Sequence, residues 1–177
     1  MTAIVADEKN PNTLYVGLVN DREFGGVFYS HDSGQHWMQK STGLGGKDVF
    51  TLKQANGVLV AGTNHGVYTM EHNGDWRPIN TVVVEKTSVR TVKKGTKKTQ
   101  VTSKSSTRST LEARVNDLDV SGEPWIAATT DGLYFSKDHG KTWMGGPVMG
   151  EKEFVSVQSK RGLIAAAART KVYTSTD

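Results

Sequence analysis

Three carboxylates stand immediately before apolar residues at points where short strands are expected to begin: Asp48-Val49, Asp117-Leu118 and Glu153-Phe154. Paired carboxylates are what glycoside cleavage requires, one to protonate the leaving oxygen and one to act as base or nucleophile, roughly 5 to 10 Å apart. Two basic side chains, Arg22 and Arg169, fall in segments expected on the same face. Asp48, Asp117, Glu153, Arg22 and Arg169 are therefore the ligand-facing candidates. Acids at strand entries also cap turns, so this pattern alone does not choose between an acidic ligand site and simple solvation. No catalytic residue is assigned on this basis.

A second set is basic. Residues 86–110 carry eight lysines and arginines and no acid, whereas the rest of the chain holds 14 basic and 18 acidic residues, a net of −4. The overall charge of +4 thus hides a mildly acidic body bearing one basic insertion. Lys93, Lys94, Lys97 and Lys98 are the partner-binding candidates within it. An acidic protein surface, nucleic acid and lipid headgroups are the partners such a patch could meet, and a solvated flexible loop is the plain alternative. No aromatic residue lies between 86 and 110, which argues against single-stranded nucleic acid stacked on side chains. Val82-Val83-Val84 and the alternation Ser88-Val89-Arg90-Thr91-Val92 suggest that the insertion's base continues as strands, with Lys94-Gly95 able to turn a protruding hairpin.

The elements that must position these groups repeat. Ser30-His31-Asp32-Ser33-Gly34-Gln35-His36-Trp37 recurs as Ser136-Lys137-Asp138-His139-Gly140-Lys141-Thr142-Trp143. Before each turn comes a small residue and an apolar pair, Gly26-Val27-Phe28 and Gly132-Leu133-Tyr134, matched again at Gly66-Val67-Tyr68 and Lys171-Val172-Tyr173. The steps are 40, 66 and 39 residues, and removing about 26 residues of insertion leaves a period near 40. Four short apolar runs per period, separated by turn signals, is the spacing of a β-propeller blade. The expected organisation is all-β: blades at 1–42, 43–84, 113–147 and an incomplete one at 148–177, with a basic low-complexity insertion at 85–112. The inner strands are expected near Ala3-Ile4-Val5, Val49 to Leu52, Leu118 to Val120 and Phe154 to Val157. The last unit stops inside its turn motif, so the expectation is an open arc, or one that needs further blades or self-association to close.

The two eight-residue turns resemble the Asp-box, or bacterial neuraminidase repeat, and the blade pattern around them matches. That resemblance implies a β-propeller and a place among sialidases, xyloglucanase-type glycosidases, sortilin-type receptors and photosystem II stability/assembly factors. It implies that Ser30, Asp32, Gly34, Trp37, Ser136, Asp138, Gly140 and Trp143 are structural and lie away from the functional face. By family it also suggests export, although Met1 to Glu8 has no signal-peptide character. A sialidase should show an arginine triad and a Phe/Tyr-Arg-Ile-Pro motif. Here Trp76-Arg77-Pro78-Ile79 is only an echo in altered order.

The reading favoured is a non-enzymatic propeller platform for a protein or assembly partner, like the stability/assembly-factor branch. A glycoside hydrolase segment and a non-catalytic carbohydrate-binding propeller are the alternatives. No cofactor, no metal and no membrane span is expected. The chain has no cysteine, and four of its five histidines sit in or beside separate turns.

Overall fold

A computed structural model describes residues 3–19, 25–94 and 97–176, with all side chains there except those of residues 93, 94, 97 and 99. It is all-β among the described residues. The first sheet is β1 (Ala3–Ala6), β2 (Leu14–Leu18), β3 (Gly26–Ser30) and β4 (Met38–Gln39), antiparallel and in sequence order. The second repeats it with β5 (Val49–Ala55), β6 (Val58–Thr63), β7 (Gly66–Met70) and β8 (Trp76–Pro78). After a two-stranded ribbon, β9 (Thr81–Lys94) and β10 (Lys97–Thr110), comes the third sheet: β11 (Val115–Asp119), β12 (Trp125–Thr129), β13 (Gly132–Ser136) and β14 (Met144–Gly146). The fourth has three strands, β15 (Phe154–Lys160), β16 (Leu163–Ala168) and β17 (Val172–Ser175).

The apolar side chains form layers between successive sheets. Val27, Leu44, Leu59, Ala61, Tyr68 and Trp76 join the first sheet to the second. Val67, Ile79, Val82, Trp125, Ala127, Tyr134 and Trp143 join the second to the third. Ile126, Leu133, Phe154, Val157, Ala166 and Ala168 join the third to the fourth. A middle strand covered on both faces has no reason to alternate, which is why β12, Trp-Ile-Ala-Ala-Thr, is buried throughout. Close approach of the sheets also requires small residues. A side chain on Gly17 would meet Val49 Cγ1 at 2.6 Å, and one on Gly62 would meet Val115 Cγ1 at 2.7 Å.

Three of the four inner strands carry a shared irregularity that the sequence pattern concealed. β5, β11 and β15 each skip one residue in the ladder just after the strand begins: between Val49 and Thr51, between Val115 and Asp117, and between Phe154 and Ser156. This bulge aligns Val49 with Val115 and Phe154. The expectation that the third inner strand begins at Leu118 is therefore corrected: β11 begins at Val115, and Asp117 lies inside it.

The insertion is a regular ribbon, paired from Thr81↔Thr110 to Lys94↔Lys97 without a break. Fourteen residues in each arm at about 3.3 Å each give it a reach of roughly 45 Å. Its base is built into the body. Trp143 donates its backbone N–H to Thr81 O, and Val83 donates to Trp143 O, both at 2.8 Å. From Val84 outward to Thr110, every side chain described is exposed.

Candidate functional site

The inner strands β1, β5, β11 and β15 line a cleft of about 520 Å³ whose polar groups include Lys53, Gln54, Asp117, Asp119, Ser156 and Gln158. Asp117 is its most heavily bonded member. Its Oδ1 accepts from Leu118 N at 2.9 Å and Thr51 Oγ1 at 3.4 Å. Its Oδ2 accepts from Ser156 Oγ at 2.8 Å and Val157 N at 3.1 Å. Lys53 Nζ approaches Oδ1 at 3.3 Å. The donors come from β5, β11 and β15, so this carboxylate ties three sheets together where they converge. The bulge explains why it can: Thr51, Asp117 and Ser156 occupy the same ladder position.

Asp119 also reaches across to the next sheet. It accepts from Ser121 N at 2.9 Å, from Ser121 Oγ at 2.6 Å and from the backbone N–H of Ser159. Burial pushes its pKa up, but the hydrogen bonds from Ser121 and Ser159 outweigh that and hold it below the usual carboxylate value.

The expected ring of three acids at the strand entries takes a different form. The residue preceding the bulged strand start is Asp48 in the second sheet, Arg114 in the third and Glu153 in the fourth. Acid, base, acid is the order, and Asp117 belongs deeper in the cleft. Arg114 Nη2 donates to Glu153 Oε1 at 3.2 Å, and Arg169 Nε donates to Glu153 Oε2 at 2.7 Å. Arg114 Nε further holds Asn116 Oδ1 at 2.9 Å, while its guanidinium lies 5.2 Å from the Phe50 ring centre. The Arg169 hydrogen bond, against a smaller effect of burial, holds the Glu153 carboxyl below its ordinary value, and the charges of Arg169 and Arg114 add to it. A general acid needs a proton near working pH, so this environment opposes that role for Glu153.

The loops expected beside these entries are where the repeat puts them. Asn64 donates its backbone N–H to Asp48 O at 3.2 Å, and Thr130 donates to Arg114 O at 3.0 Å. Arg22 lies outside the described residues, as do its neighbours from Asn20 to Phe24 and the Gly95 of the expected ribbon turn. Sequence reasoning missed Arg114, Lys53 and Asp119. The signal that finds them is the pattern apolar-x-polar-apolar in Val49-Phe50-Thr51-Leu52, Val115-Asn116-Asp117-Leu118 and Phe154-Val155-Ser156-Val157.

The two Asp turns are closed frames with no open ligand position. Ser30 Oγ donates to Asp32 Oδ1 at 2.7 Å and accepts from Gly34 N at 2.8 Å, while Asp32 Oδ1 accepts from His36 N at 2.9 Å. Ser136, Asp138, Gly140 and Thr142 repeat this at 2.8 Å for each bond. Gly34 and Gly140, at φ of 90° and 82°, supply the left-handed backbone that the turn needs. Among the described residues no group of three or more histidines and acids is placed to hold a metal. No helix there is long and apolar enough to cross a membrane.

The ribbon contributes the other candidate surface. Its register sets Lys93 opposite Lys98 and Lys94 opposite Lys97. Among the described residues, no ion pair offsets the ribbon's charge.

No protein-family model matches the chain, and no curated protein is similar to it. Solved structures do resemble it in fold. The computationally designed Ika4 protein aligns with a TM-score of 0.62 at 12% identity, over 98% of this chain and 88% of that one. The designed Ika8 protein aligns at 0.58, again at 12% identity, over 98% of this chain and 44% of that one. At these identities the likeness is one of backbone arrangement, and the chain shares with two designed proteins a succession of blade-like antiparallel sheets.

Proposed function

We propose that the chain is a non-enzymatic β-propeller platform, akin to the stability/assembly-factor kind of Asp-box protein, whose basic ribbon engages an acidic surface on a protein or assembly partner. The observation that carries this reading is the ribbon itself: 28 residues paired in one ladder, rooted in the body at Thr81 to Val83, with every described side chain from Val84 to Thr110 exposed and, after Glu85, basic residues and no acid within the ribbon. A solvated loop would not need an unbroken ladder. The carboxylates that a hydrolase would use speak against turnover, since Asp117 is saturated by donors from three strands and Glu153 is shared by two guanidiniums.

Binding to immobilised poly-L-glutamate tests the ribbon. It should weaken at least about tenfold when Lys93, Lys94, Lys97 and Lys98 are all changed to Gln, and should fall steeply as salt rises from about 0.05 to 0.5 M. Equal binding by both proteins at low salt would remove the ribbon from the function. A panel of glucans and sialosides tests the enzymatic rival. Turnover abolished by Asp117→Asn would make the chain a glycoside hydrolase segment and overturn the platform. A second reading, a propeller that binds carbohydrate without cleaving it, draws on the amide and hydroxyl lining of the cleft at Gln54, Gln158 and Ser156. Saturable glycan binding with no turnover would favour it.

A further inference from the structure

The root of the ribbon shows how its outer edge accepts a strand. Trp143, the residue before β14, lies beside Val82 in a parallel bridge, and the bridge uses Thr81 O and Val83 N–H. Both groups point away from β10. Backbone groups alternate between the two sides of a strand, and the ladder from Thr81↔Thr110 to Lys94↔Lys97 has no register shift, so every second residue beyond Val83 repeats that orientation. Glu85, Thr87, Val89 and Thr91 therefore present their N–H and C=O outward along one edge. Among the described residues, no other strand pairs with that edge beyond Val83.

The residues between those positions define what the edge accepts. Val84, Lys86, Ser88, Arg90 and Val92 share one face of β9, and Ser88 Oγ meets Ser103 Oγ of β10 at 2.6 Å on that face. All five are exposed. Their order is apolar, basic, polar, basic, apolar, the same read in either direction. A strand laid beside them is matched by β-branched apolar residues at the ends and carboxylates opposite the two basic side chains, each pair adding a favourable contact. Charge then chooses between occupants. Residues 86–110 hold eight basic residues and no acid, so a second copy brings like charge to this edge and an acidic strand brings the opposite. A ribbon of two strands is marginal in water, and a third strand is the smallest addition that steadies it.

We propose that the outer edge of β9, from Glu85 to Thr91, takes up an extended acidic segment of a partner protein as a third strand of the ribbon, with carboxylates facing Lys86 and Arg90. This rests on the reading of the ribbon as the site for an acidic partner, and it adds the form of the contact. Backbone pairing along the edge supplies affinity, and the alternating side chains supply specificity. Trp143 holds the first position on the edge, so the partner's strand lies beyond it, toward the ribbon's tip.

The test uses the capped peptide Thr-Val-Thr-Glu-Thr-Thr-Thr-Glu-Thr-Val-Thr, labelled for fluorescence anisotropy and titrated into the whole chain at low salt. Two further peptides carry backbone N-methyl groups, one on the even-numbered residues and one on the odd-numbered, so each has one pairing edge blocked and the same charge. A strand that adds to β9 uses one edge. The parent peptide and one methylated form should bind, and the other methylated form should bind at least about tenfold more weakly. Equal binding by the two methylated forms overturns strand addition and leaves the acidic-partner reading in place. Failure of all three peptides and of poly-L-glutamate to bind removes both. In the protein, Val89→Pro deletes one outward N–H and keeps every charge. It should weaken the parent peptide at least about tenfold while poly-L-glutamate binds as before, and unchanged peptide binding overturns the proposal. The methylated pair needs no altered protein, so it decides the matter if Val89→Pro disturbs the ribbon. Dimerisation of the chain that Val89→Pro abolishes would give the edge to a second copy and overturn the proposal.

Discussion

The Trp37 turn and the Trp143 turn share serine, aspartate, glycine and tryptophan at the same spacing and fold into nearly the same frame, yet their tryptophans end differently. Trp143 is fully buried and bonds across to Ile79 O of the preceding sheet, whereas Trp37 is 40% exposed and bonds back to Gly34 O of its own turn at 3.0 Å. The serine, aspartate and glycine of each turn close on themselves with matching distances. What differs is the neighbour: among the described residues no sheet precedes the first. The motif therefore builds its turn locally, and its contribution to the core depends on what packs against the indole.

The largest separation of the two turns should come from the tryptophans. Trp143→Ala should cost about 3 to 5 kcal/mol in chemical denaturation, as expected for a fully buried indole, and Trp37→Ala about 1 kcal/mol. Comparable losses would mean that the first turn is buried in solution by something docked on it. The serines should separate far less. Ser30 and Ser136 are both buried and each accepts a glycine N–H, so Ser30→Ala and Ser136→Ala should each cost about 1 to 3 kcal/mol and agree within error. A large disparity would show that the frame is not local after all.

The smallest expected effect is in acid. The backbone N–H of His36, then Ser30 and the His36 ring, hold Asp32 well below its ordinary 3.8. For Asp138, burial pushes upward but hydrogen bonds from Thr142 and Ser136 prevail and lower it. A depressed carboxylate contributes stability that is fully present above 3.8 and fades as pH falls through the folded-state value. Urea midpoints of Asp32→Asn and Asp138→Asn should therefore approach that of the parent as pH drops below 3.8. A gap that stays constant to low pH would show that the two carboxylates do not titrate with folding.

The sheets were legible because Gly-apolar-aromatic runs and Asp turns recur at a near-constant step, and because each middle strand is uniformly apolar. The inner strands were less legible. A bulge inserts one unpaired residue, so matching "acid then apolar" aligned Asp117 with Asp48 and Glu153 when its ladder partners in the repeat are Thr51 and Ser156. Glu153 and Arg169 were found at the strand entry, but that Arg114 completes their cluster was invisible, because its equivalence to Asp48 and Glu153 is a matter of register and not of residue type. The ribbon's ladder was only half legible. Val82 to Val84, Val89 and Val92 give β9 the β-branched content of a strand, whereas β10 is a polar run of Lys, Arg, Thr, Ser and Gln around one valine that no periodicity marks.

Placing the apolar layers between sheets has a consequence for how order is lost. Each sheet is held by its immediate neighbours, so cooperativity passes along a line from one interface to the next, as in a short row of coupled units. Loss of packing at one interface is therefore felt first by the two sheets that share it, and the second and third sheets, packed on both faces, each take part in two such interfaces.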